Sequence, residues 1–88
     1  MSDAVIAHLV EQRGTILARL DALLRIPSVS TDPAFAPDMD RARAMLLARL
    51  VEIGLDDVQL LDGGAGQPAV YGTWTGAPGK PTLIIYGH

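Results

Sequence analysis

Apolar and polar positions alternate along the chain with two different periods, and the change of period divides it. From about Asp3 to Arg25 the apolar residues recur at three- and four-residue steps. Val5, Ile6, Leu9, Val10, Ile16, Leu17, Leu20, Leu23 and Leu24 share one side, while His8, Glu11, Gln12, Thr15, Arg19 and Asp21 share the other. This spacing predicts an amphipathic helix. Arg13 interrupts the apolar side, so either its stem snorkels or the helix is disturbed at Gly14. Asp21 and Arg25 stand four apart, a supportive helical pair. Pro27 ends the segment, because a proline disfavours helical geometry at the residue before it, Ile26.

Ser28 to Pro37 is rich in turn and cap formers and is expected to be a loop. A second helix is expected from about Asp38, a plausible N-cap, to Ile53. Met39, Ala42, Leu46, Leu47, Leu50, Val51 and Ile53 give it a wide apolar face, of the kind that packs on a sheet. Gly54 then stands where a helix ends in a left-handed residue. Leu55 follows where a Schellman motif brings an apolar contact back to Leu50.

Beyond Leu55 the period shortens. Val58–Leu61 and Ala69–Thr75 read as strands joined by the loose run Gly63-Gly64-Ala65-Gly66. The connection of about seven residues suits an antiparallel hairpin with a long loop. In the second strand Tyr71, Thr73 and Thr75 share one face, Val70, Gly72 and Trp74 the other. Gly76 to Pro81 is a further turn. Thr82-Leu83-Ile84-Ile85-Tyr86 is continuously apolar, the pattern of a strand buried on both faces. A strand of that kind needs neighbours and covering layers. Two helices and two other strands supply only part of them, so the chain is expected to be the front of a larger domain. The fold class expected is α/β, two helices followed by three strands.

Composition narrows the possibilities. The 88 residues allow one small domain at most. The chain is 49% hydrophobic and 19% charged, too apolar for a disordered segment. Seven basic and ten acidic residues leave a net charge of −3, which speaks against nucleic acid as a partner. The absence of cysteine removes disulfides, thiolate metal sites and cysteine nucleophiles together. No apolar run reaches the roughly 18 residues of a membrane span. The N-terminal stretch lacks the basic start of a secretory signal, so a cytoplasmic location is expected.

Several motifs fail on context. Gly64-x-Gly66-x-x-Ala69 fits a dinucleotide fingerprint in letters, but that motif must open a helix, and here Pro68 and a strand pattern follow. Gly79-Lys80 resembles part of a phosphate loop, yet Trp74 occupies the position of the required first glycine and Pro81 replaces the magnesium-binding hydroxyl. Ser28 and Ser30 have neither a nearby histidine nor a nucleophile elbow, and read as turn residues. Tyr71 and Trp74 read as strand packing, not a base-stacking platform. Arg41, Arg43 and Arg49 beside Asp40 and Glu52 read as a solvated helix face. His8 lies on the polar side of the first helix. His88 differs in its position. It follows Gly87 at the carboxyl end of the most apolar strand, where open α/β sheets bind ligands, and an imidazole there can ligate a metal or act as a base.

Two stretches carry a family resemblance. Leu23-Leu24-Arg25-Ile26-Pro27-Ser28-Val29-Ser30 resembles the start of the dinuclear-zinc aminoacylase/carboxypeptidase hydrolases, peptidase family M-twenty. Pro81 to His88 looks like that family's first metal motif, an apolar strand followed by Gly-His. The run from Val70-Tyr71-Gly72-x-Trp74 to His88 looks most like the carnosinase-related dipeptidase branch. The resemblance implies that residues 1–88 are the N-terminal portion of a mixed-sheet α/β/α catalytic domain, truncated at the first metal motif. It implies two zinc ions, or manganese or cobalt, with His88 as the first metal ligand. It also implies a metal-activated water that cleaves dipeptides or small acylated amino acids, and homodimers of the full-length protein. The aspartate that would orient the imidazole, the bridging carboxylate and the general base are absent from these residues, which are therefore expected to be inactive alone. The alternative is a small non-catalytic α/β domain that binds a partner through an open sheet edge.

Overall fold

The computed structural model describes residues 2–88. They group into two compact units, one running up to Met45 and the other Leu46–His88. The order of elements is helical first and stranded second: α1 (Ser2–Glu11), α2 (Arg13–Leu24), a 3-10 turn (Pro33–Phe35), α3 (Ala36–Glu52), β1 (Asp56–Leu61) and β2 (Ala69–Thr73). This is a mixed α/β arrangement, as the change of period predicts, but with three helices and two strands in place of two and three.

In the first unit, the single helix expected over Asp3–Arg25 is divided at one residue. Gln12 leaves helical geometry at φ −91°, ψ 6°. Hydrogen bonding nonetheless carries through, since the Gln12 N–H donates to the His8 carbonyl and the Ile16 N–H to the Gln12 carbonyl, each at 2.9 Å. The disturbance falls two residues before Gly14, beside the Arg13 that interrupts the apolar side. The Asp21–Arg25 pair is present, Nε to Oδ2 at 2.8 Å, with both side chains well exposed. In that setting it contributes only a few tenths of a kcal/mol. Pro27 does end the helical run, and Ile26 before it is 6% exposed. Ala42, at 8%, is the one other buried residue among those described.

The stretch expected as loop, Ser28–Pro37, contains the 3-10 turn and the start of α3. Asp32 makes this possible. Its carboxylate accepts from the Ala34 N–H at 3.0 Å, its carbonyl from the Phe35 N–H at 3.0 Å, and Pro33 occupies the first helical position. Proline is well placed there because its missing N–H is one the helix would leave unsatisfied. Asp38 is accordingly not the N-cap. It lies in the first turn of α3, where a carboxylate favours the positive end of the helix dipole, and it pairs with Arg41 at 2.6 Å. Arg43 pairs with Asp40, and Arg49 with Glu52 at 3.1 Å. The expected solvated face holds for Arg41, while the Arg43 side chain is only 12% exposed.

The second unit begins in the last turns of α3. The Leu55 N–H donates to the Leu50 carbonyl at 3.1 Å and the Gly54 N–H to the Val51 carbonyl at 3.0 Å. Gly54 has φ +89°. These are the two hydrogen bonds and the left-handed residue of a Schellman motif. Leu50 and Leu55 converge above Gly72 of β2. A Cβ at that glycine would stand 3.1 Å from Leu55 Cδ1 and 3.4 Å from Leu50 Cδ1, so a bare backbone lets the helix end sit close on the hairpin.

β1 and β2 pair antiparallel, with Gln59 opposite Tyr71, Leu60 opposite Val70 and Leu61 opposite Ala69. β1 begins two residues before the expected Val58, and the register shifts between Asp56 and Gln59. Asp57 takes up the extra residue with φ +51°, a conformation aspartate tolerates better than most side chains. The Thr73 hydroxyl donates to the Asp56 carbonyl at 3.2 Å across the bulge. β2 ends at Thr73, two residues short of the expectation.

Thr82–Tyr86 is not a strand. Ile84 is 88% and Ile85 87% exposed, and β1 with β2 is the one strand pair among the described residues. The expectation of a strand buried on both faces fails for a physical reason. Apolar β-branched residues favour extended backbone, but a strand exists only where a neighbour takes up its N–H and C=O groups. Among the described residues no helix is long and apolar enough to cross a membrane.

Two outcomes follow from this packing. Gly54→Ala forces an L-residue into the left-handed region where no side chain is near to clash, so the cost is purely backbone, about 1 kcal/mol. Amide exchange in the last turn of α3 is expected to quicken about fivefold; unchanged exchange would show that the cap does not hold the turn. The exposed run Leu83–Tyr86 carries no charge and invites edge pairing. The 88-residue chain is expected to self-associate in sedimentation velocity, and Ile84→Lys to reduce this. A monomer with a sharp two-state melt would contradict it.

Candidate functional site

His88 is the residue the sequence singles out for chemistry. It stands at the end of an extended, solvent-exposed segment. A turn precedes the segment, where the Lys80 N–H donates to the Ala77 carbonyl at 3.2 Å. Pro78 and Gly79, the latter at φ +77°, occupy its central positions. Proline followed by a left-handed glycine is the pairing a type II turn requires. Gly79-Lys80 is thus the turn the sequence suggested and not a phosphate cradle. From Thr82 onward every residue, His88 included, is exposed.

The other candidate residues lie in loops, turns and secondary-structure elements of their own units. Gly64 and Gly66 lie in the β1–β2 loop at φ +85° and +80°. The Asp62 carboxylate caps that loop by accepting from the Gly64 N–H at 2.9 Å. The motif that matched a dinucleotide fingerprint in letters therefore leads into β2, not into a helix. Ser28 donates its backbone N–H to the Ile26 carbonyl at 2.7 Å and sits with Ser30 in the exposed stretch after α2, consistent with turn residues. His8 is exposed near the end of α1. Trp74 is exposed just past β2, and Tyr71 is partly so within it.

Whether these residues suit the zinc centre that the family resemblance implies is decided by the donor set. Among the described residues no three His, Cys, Asp or Glu side chains come close enough together to hold a metal ion. A catalytic zinc takes three protein ligands and keeps a fourth position open. One exposed imidazole, with no carboxylate to fix its tautomer, is not such a site. The residues present do not fit a complete metal centre, and His88 can be at most one of its ligands.

The second unit carries a concave feature. There Leu50, Ile53, Leu55, Val70, Gly72 and Trp74 line an open, mainly apolar groove together with Ala77–Ile85. His88 is not among its lining residues; the polar side chains that do line it are those of Tyr71, Thr73, Thr75, Lys80 and Thr82.

The chain is similar to the Cys-Gly metallodipeptidase DUG1 of Candida albicans, 29% identical over 89 aligned positions that take in 89% of this chain and 18% of that protein. It therefore spans less than a fifth of the length of the relative it matches. No family model matches the chain, and no solved structure matches it significantly.

A direct consequence concerns metal affinity. In calorimetric titration at neutral pH the 88-residue chain is expected to show no saturable zinc binding at micromolar concentration. Micromolar binding that vanishes in His88→Ala would mean that ligands absent from this geometry assemble around the imidazole.

Proposed function

We propose that residues 1–88 form the N-terminal part of a metal-dependent dipeptidase-like hydrolase, and that His88 is one of its metal ligands. The observation that carries the reading is the similarity, over nearly the whole chain, to a protein named as a metallodipeptidase. The Ile26-Pro27-Ser28-Val29-Ser30 and Pro81–His88 motifs agree with it, because they resemble the opening and the first metal motif of the M-twenty hydrolases. Zinc is the ion that resemblance implies. The substrate class is dipeptides, with Cys-Gly the first to test because of the relative's name.

The division of labour in this reading follows from the fold. The helices and the hairpin are scaffold. The exposed ribbon Thr82–Tyr86 would become a strand once ladder partners are supplied, and pairing would carry His88 to the carboxyl end of a sheet. The remaining ligands and the acid–base group come from other sequence. The 88 residues by themselves bind no metal usefully and hydrolyse nothing.

A second reading is favoured by the same exposed ribbon. A small domain with an unpaired apolar segment can add that segment to the sheet edge of another protein. The coding sequence after His88 separates the two. A carboxylate two residues on supports the hydrolase, and a stop codon with a soluble, cooperatively folding product supports the binding module.

Two assays test the hydrolase reading. The 88-residue chain, supplied with zinc or manganese, is expected to release no glycine from Cys-Gly; turnover above chelator-treated controls that depends on His88 would refute its inactivity. In the longest polypeptide read from the gene, His88→Ala is expected to lower chelator-sensitive dipeptide hydrolysis at least about 100-fold, the upper end of what losing a mere hydrogen-bonding partner of a metal ligand costs. Activity equal to the unmodified protein would remove His88 from the site.

A further inference from the structure

We draw no further inference here: the strongest candidate, the unpartnered apolar stripe along α1 and α2 formed by Val5, Ile6, Leu9, Val10, Leu17 and Leu20, is half-exposed along its whole length, and nothing in the structure shows what covers it.

Discussion

The second unit depends on the contact of Leu50 and Leu55 over Gly72. The Schellman turn at Gly54 reverses the chain so that Leu55 returns beside Leu50, and the missing side chain at Gly72 lets both leucines lie on the hairpin. A helix end, a strand start and a sheet face are thereby held by one left-handed residue and one bare position. A two-stranded hairpin is marginal in water unless something packs on it. Here the end of α3 provides that packing, and it provides it on one place only.

The scarcity of such contacts explains the rest of the molecule. Only Ile26 and Ala42 are buried among the described residues, and neither completely, while Val5, Ile6, Leu9, Val10 and the Leu83–Tyr86 run remain open to solvent. A helix draws most of its stability from packing its apolar side, and an apolar strand from its ladder. Half-exposed helices and an unpaired ribbon therefore describe a scaffold whose own contacts are few. This fits the proposed role of these residues as one part of a larger catalytic domain.

What could be read in the sequence was what local chemistry decides. Gly54 announced its turn because few other residues adopt a positive φ easily. Pro27 announced the end of α2, and Asp21 with Arg25 their pair. The long loop between two short β segments announced an antiparallel hairpin. Asp32-Pro33 also carried a start signal for helical structure, but Pro37 made the stretch look like loop, although proline is tolerated in a first turn. The break in the first helix was legible to within two residues, since a disturbance at Gly14 was one of two readings of Arg13 and the break falls at Gln12. The bulge at Asp57 was not, since aspartate does not demand a positive φ. Thr82–Tyr86 shows the limit most clearly. Its composition specifies a strand, yet the ladder that would make it one must come from elsewhere. His88 has the same character: its place after an apolar run and a glycine was legible, whereas a ligand set is a property of several segments brought together.

The central claim is that His88 holds a metal in a hydrolase of which these residues are a part. Metal content measures it most directly. The longest polypeptide read from the gene, purified after dialysis against zinc, and its His88→Ala variant can be compared by elemental analysis at equal folded concentration. The account predicts tightly held zinc in the first and a clear loss of bound metal in the second. Equal metal in both, or none in either, would contradict it.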